Sequence, residues 1–150
     1  MVDILHRVGV TKPPADVYAA LTTLDGLAAW WTEDTTGDPG PGGVVRFRFG
    51  GAPEPAGFDM SVVEAVPDKL VLWEVVHGPE EWIGTTVRFE LSQDAGWTIV
   101  LFHHAGWKEP VEFMHHCSTK WATFLLSLKE SLETGAGAPW PHDVKVDNWN

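Results

Sequence analysis

Apart from one helical interruption, apolar positions recur every second residue as far as Trp107; beyond it they recur every three or four. Val2 to Val10 carries Ile4, Val8 and Val10 on one parity, which predicts a strand. Pro13-Pro14 breaks it and can open a helix, since proline is tolerated in a first turn. Val17, Ala20, Leu21 and Leu24 follow at helical spacing, and Asp25 is a candidate cap for a second short helix with Leu27, Trp30 and Trp31 on one face. Thr35 to Gly43 reads as a loop by composition. Val45, Phe47 and Phe49 then alternate with Arg46 and Arg48. After a second loop, Gly50 to Gly57, the stretch Phe58 to Val66 places Phe58, Met60, Val62 and Val66 on one parity. Pro67-Asp68 turns into Leu70 to His77, Gly78-Pro79 ends that strand, and Trp82 to Leu91 is the next. Gln93 to Gly96 makes a hairpin-type turn into Trp97 to Trp107. About six strands with short connections predict an antiparallel sheet.

The period changes after Pro110. From Val111 to Glu133, residues Phe113, Met114, Cys117, Trp121, Phe124, Leu125, Leu128 and Leu132 fall within an arc of roughly 120°. Glu109 and Glu112 suit the positive end of that helix, and Gly135 and Gly137 stop it. A long amphipathic helix after a run of strands has one place to bury its stripe, which is across the sheet. An α+β domain over residues 1–135 follows, with an irregular tail over 136–150 packed partly on its surface. A sheet that curves around the helix would leave a pocket between them.

Composition narrows the function. The net charge of −11 repels phosphate backbones, and no basic cluster offsets it, which argues against nucleic acid. No apolar run approaches the roughly 20 residues of a membrane span. A single cysteine, Cys117, excludes an intrachain disulfide and fits a reducing compartment; with no signal-like N-terminus, the cytoplasm is expected. Nine Trp and seven Phe against one Tyr supply either a Trp-rich core or an aromatic-lined pocket.

Candidate chemistry is sparse. The pairs His103-His104 and His115-His116 lack the spacing that puts two ligands on one helix face, so no metal site is expected. By parity with Val100 and Phe102, His104 faces the helix, either as a hydrogen-bonded core group or as a polar handle in a pocket. Cys117 on the apolar stripe reads as a small hydrophobe. Glu64 and Glu74 lie among apolar neighbours; turned inward they are candidate acid–base partners for His104, turned outward they are solvated or paired with Arg46, Arg48 or Arg88. No phosphate loop, serine nucleophile elbow or paired-cysteine motif is present, and no cofactor is implied.

Four stretches carry a family resemblance: Pro14-x-x-Val17-x-x-x-Leu21 with Leu27-Ala28-Ala29-Trp30-Trp31-Thr32; Gly42-Gly43-Val44-Val45-Arg46-Phe47; Glu64-Ala65-Val66-Pro67-Asp68-Lys69-Leu70-Val71; and His104-Ala105-Gly106-Trp107. In order and spacing, over about residues 3 to 133, they resemble the START-like superfamily, also called SRPBCC, and within it the group of homologues of the heat-shock-protein-90 ATPase activator. The resemblance implies the helix-grip, Bet v 1-like fold: a curved antiparallel sheet around a long C-terminal helix, with two short helices after the first strand and an apolar cavity inside. Related members bind lipids, hormones, polyketides or other hydrophobic molecules, and some are cyclases; no universal catalytic residues carry over.

The leading expectation is binding of a small hydrophobic, aromatic or lipid-like ligand rather than catalysis. The sheet side of the lining would be Phe47, Phe49, Met60, Val62, Trp73, Val87, Phe89, Phe102 and His104. The helical side would be Trp31, Phe113, Cys117, Trp121 and Phe124. The alternatives are a polyketide cyclase-like or hydrolase-like enzyme using His104 with Glu64 or Glu74, and a protein-interaction module. The last includes a homodimer or a chaperone partner, and Ile99 and Leu101 on the outer parity motivate it.

Overall fold

In the computed structural model, which describes residues 1–51 and 53–150, seven strands form one open, curved antiparallel sheet. The chain runs β1 (Val2–Val10), α1 (Pro14–Thr22), α2 (Leu24–Ala28), β2 (Asp34–Gly37), β3 (Val44–Arg48), β4 (Gly57–Val66), β5 (Leu70–His77), β6 (Thr86–Asp94), β7 (Trp97–Trp107) and α3 (Glu112–Thr134). The sheet order is β1-β7-β6-β5-β4-β3-β2. The two ends of the chain's folded part therefore meet: β1 pairs with β7 while α1 and α2 cross to the other side. This is the helix-grip architecture.

The inner face is an aromatic layer. Phe47, Met60, Trp73, Val87, Phe89 and Phe102 are fully buried beneath Trp121, Phe124, Leu125 and Leu128 of α3. Fully burying one such side chain stabilises by about 1.5–3 kcal/mol, so this contact dominates the fold. α3 ends where Gly135 adopts a left-handed φ of 87°.

Several local expectations need correction. Asp34–Gly37, inside the stretch read as loop, is a strand; it is a polar edge pairing only with β3, so it has no alternating signal to detect. The second helix is capped by Thr23, whose hydroxyl accepts from the Gly26 amide, rather than by Asp25. Trp30 and Trp31 lie beyond its end, so tertiary contacts rather than helix periodicity bury them. Pro79 to Gly84 folds into turns and the sixth strand starts only at Thr86; the amides of Trp82 and Ile83 both bond to Pro79 O. The last strands meet in a two-residue turn, Ala95-Gly96, with φ of 49° and 87°, the positive pair that suits a hairpin. In β4 the pairing shifts between Val62 and Glu64. An extra residue flips the later parity, so Ala65 turns toward the core while Val66 is exposed.

Gly57 lies where β4 runs close against the backbone of β3. A Cβ there would stand 1.8 Å from Phe47 O. Gly57→Ala is expected to lower unfolding free energy by about 2–4 kcal/mol, measured by urea denaturation. A loss under about 0.5 kcal/mol would show that the strands can part there without cost.

Candidate functional site

The space between helix and sheet is divided. Toward β6 and β7 it is filled. His104 is wholly buried there, and each ring nitrogen has a partner. Trp121 Nε1 donates to His104 Nδ1 at 3.1 Å. An indole nitrogen only donates, so Nδ1 must accept and the proton sits on Nε2. Nε2 in turn donates to Thr85 Oγ1 at 2.8 Å, and that hydroxyl donates to Trp82 O at 2.6 Å. Burial holds the imidazole pKa down at about 3, so the ring is neutral under ordinary conditions. His104 is the joint between helix and sheet. It has no nitrogen left for a substrate.

Toward β3, β4 and the lower half of α3 the packing opens into an apolar pocket of about 290 Å³. Its inner wall is Trp31, Phe58, Trp82, Cys117 and Trp121; Phe49, Phe113 and Phe124 form the sides. Phe58 and Trp82 stack at 3.9 Å with planes 7° apart, and Trp121 lies within 16° of parallel to Trp82. Burial pushes the Cys117 thiol up to about 12, so it remains protonated.

The tail crosses the mouth of this pocket. Trp140 pairs with the segment after α2: its amide donates to Trp31 O at 2.8 Å and its carbonyl accepts from the Glu33 amide at 3.1 Å. Lys120 of α3 then holds Asp143 at 2.5 Å and Val144 O at 2.8 Å. Burial by itself would raise the Asp143 carboxyl, but the hydrogen bond and charge of Lys120 outweigh it and leave the pKa below the usual value. His116 pairs with Asp147 at 2.7 Å, and its hydrogen bond lowers that carboxyl in turn. Trp149 packs on His116 with centroids 5.5 Å apart, and Asp143, Trp149 and Asn150 join the lining. Residues 139–150 thus form an irregular strap packed over the mouth of the pocket.

A family model described as "Activator of Hsp90 ATPase homolog 1-like protein" matches residues 11–133. The chain belongs to this family. A comparison with curated proteins finds no match. Among solved structures, the Aha1 dimer from Colwellia psychrerythraea is 46% identical, with a TM-score of 0.83 over 91% of this chain and 100% of that one. CalU16 from Micromonospora echinospora is 20% identical, with a TM-score of 0.71 over 93% of this chain and 70% of that one. DynU16, of the dynemicin biosynthetic locus, is 23% identical, with a TM-score of 0.74 over 92% of this chain and 49% of that one. The last two share the fold.

Set in this Aha1-like domain, the residues expected to line a cavity divide between pocket and core. Trp31, Phe49, Phe113, Cys117, Trp121 and Phe124 border the pocket. Phe47, Met60, Val62, Trp73, Val87, Phe89, Phe102 and His104 do not; they are buried in the packed core, Phe47 on β3 and Met60 and Val62 on β4 included. Glu64 and Glu74 are exposed on the outer face, opposite Leu72 and Ser61, away from His104. The candidate acid–base group of the enzyme alternative does not assemble, since both carboxylates take the outward orientation. Of the titratable side chains that line the pocket, His116, Lys120 and Asp143 are each paired, and the Cys117 thiol stays protonated. Among the described residues no cluster suits a metal ion, and no helix is long and apolar enough to cross a membrane. Phe58 shares the parity of Met60 and Val62, so alternation does point it inward; Trp82 gives no such signal, because a turn delivers it. For the tail the one signal was its unexplained tryptophans, Trp140 and Trp149.

Two outcomes follow. Between pH 6.5 and about 3 the unfolded chain takes up a proton at His104 that the folded protein does not, so stability falls as pH drops through this window. His104→Gln should flatten that part of the pH dependence while costing about 2 kcal/mol at pH 7; an unchanged acid slope in thermal melts would disprove it. Asp143→Ala leaves Lys120 unpaired beside the pocket. It should cost about 3 kcal/mol and speed amide exchange across residues 140–150, whereas protection there equal to wild type would mean that the pair does not hold the strap.

Proposed function

We propose that this Aha1-like domain binds a small, largely apolar aromatic molecule in the strapped pocket at the β3–β4 end of α3. The observation that supports this most is the pocket itself: an aromatic-walled space of about 290 Å³ between α3 and the β3–β4 end of the sheet. Its volume stands at the lower end of the roughly 300–1,000 Å³ typical of ligand sites, which favours a fused two- or three-ring molecule over a long lipid. The buried, protonated thiol and the paired charges at the rim support binding without bond-making. The single buried cysteine fits a cytoplasmic setting.

Titrating ¹⁵N-labelled protein with 1-naphthol should move the indole resonances of Trp31, Trp82 and Trp121 while leaving that of Trp97, on the outer face, in place. Trp149→Ala should weaken binding about fivefold, the loss of about one aromatic contact. Uniform small shifts over the whole protein, or none, would refute the pocket as a site. Native mass spectrometry of protein from its own host would then show what occupies it.

A second reading is self-association. The relative from Colwellia psychrerythraea is described as a dimer, and Leu5 and Leu101 stand exposed on the outer faces of the neighbouring strands β1 and β7. Light scattering after size exclusion should show a dimer that Leu5→Glu with Leu101→Glu dissociates. A strict monomer in the wild type would remove this reading.

A further inference from the structure

A ligand that reaches the inner wall of the pocket has to displace something. Trp31, Trp121, Trp82 and Cys117 are each only 2–4% exposed, so water barely meets the surface that a ligand would cover. Most of the surrounding chain is fixed by backbone hydrogen bonds. Phe58 belongs to the β3–β4 ladder, and the Phe49 amide donates to Ala56 O at 2.7 Å. The turn carrying Trp82 is tied to β5: the Val75 amide donates to Thr85 O at 3.0 Å and the Gly84 amide to Val75 O at 2.9 Å. Phe113, Cys117 and Trp121 stand on α3.

The strap is held differently, and unevenly. Its base is firm: Trp140 exchanges backbone hydrogen bonds with the segment after α2, and the buried Asp143 takes the Lys120 ammonium. Residues 146–150 instead close on themselves. The Val146 amide donates to Asn150 O and the Asn150 amide to Asp147 O, each at 3.2 Å, and the Trp149 amide donates to the Asp147 carboxylate at 2.8 Å. Among the described residues, none of their backbone groups bonds to the rest of the domain. They are held by the pairing of Asp147 with His116 and the packing of Trp149 on that ring, with Trp149 still 49% exposed. The Asp147 side chain is 37% exposed and that of Asp143 2%. Salt therefore screens the outer pair far more than the inner one.

We infer that residues 146–150 form a flap that opens as a unit, while Asp143 stays latched to Lys120, to let the ligand into and out of the pocket. This rests on the pocket reading above. Opening parts one exposed ion pair and one aromatic contact and no backbone hydrogen bond to the domain, so it needs far less than unfolding. A flap that must open for both entry and exit scales the two rates together. Asp147→Asn keeps an acceptor for the Trp149 amide and removes the charge that holds His116. In stopped-flow tryptophan fluorescence with 1-naphthol, uncharged at neutral pH, the variant should raise the association and dissociation rate constants together, each about threefold. Sodium chloride at about 0.5 M should speed both rates in the wild type and hardly change them in the variant. A second readout needs no ligand. Cys117, the single cysteine, lies on the inner wall, so its labelling by methyl methanethiosulfonate reports how often the flap opens. Asp147→Asn should speed that labelling about threefold while amide exchange in β7 stays as in the wild type. Unchanged labelling, labelling that rises only with faster exchange in β7, or a rise in the dissociation rate alone overturns the flap while leaving the pocket reading intact. If the wild-type protein does not bind 1-naphthol, the pocket reading fails and this inference with it.

Discussion

The rest of the structure depends on burying the three-residue segment Trp30-Trp31-Thr32. A chain segment placed between a helix and a sheet must pair its polar groups there, backbone and side chain alike, since water cannot reach them. This one does so with four separate parts of the protein. Trp30 Nε1 donates to Ala20 O in α1, and Trp30 O accepts from Ser127 of α3 at 2.8 Å. Trp31 O accepts from Trp140 of the strap, and the Thr32 hydroxyl donates to Arg48 O at the end of β3. The Trp31 ring meanwhile contacts Phe47, Phe58, Trp73 and Trp121 with centroids 4.2–6.2 Å away. Helix, sheet and strap are thereby positioned against one another by a single turn of chain.

That arrangement explains why the helix-grip interior is only partly open. The aromatic layer around Phe89, Phe102 and Trp73 has volume enough to meet α3 directly, and the His104–Thr85–Trp121 bonds fix the distance between them. Beyond Trp121 the inner side chains come from a shorter strand pair and a turn, and the space is not filled. The strap covers that gap from outside. The histidine that offered the best chance of catalysis is used up in maintaining the spacing that creates the pocket.

The strand and helix at the end of the chain were legible because the inner parity of β7 is fully buried and α3 has one buried stripe; Ile99, expected outward and exposed, is buried as well. Alternation placed Val100, Phe102 and His104 inward, and a helical period placed Cys117, Trp121 and Phe124 opposite them. Where the local signal was weak or doubled, the pattern misled. β2 is polar and paired on one side only. β4 changes parity at its bulge, which moves Val66 out and Ala65 in. Trp82 sits in a turn that alternation reads as strand. Ser127 is buried on α3 despite its polarity, because its hydroxyl bridges Trp30 O and the Ala138 amide.

The amino-acid pattern by itself determined the class of fold, the order of its long elements and which face of each is apolar, because those follow from a residue's position in a strand or helix period. The tertiary structure alone decided which apolar residues meet each other and which border empty space. That depends on summed side-chain volumes across elements far apart in the chain, and on a tail whose ion pairs with His116 and Lys120 have no counterpart in any local period.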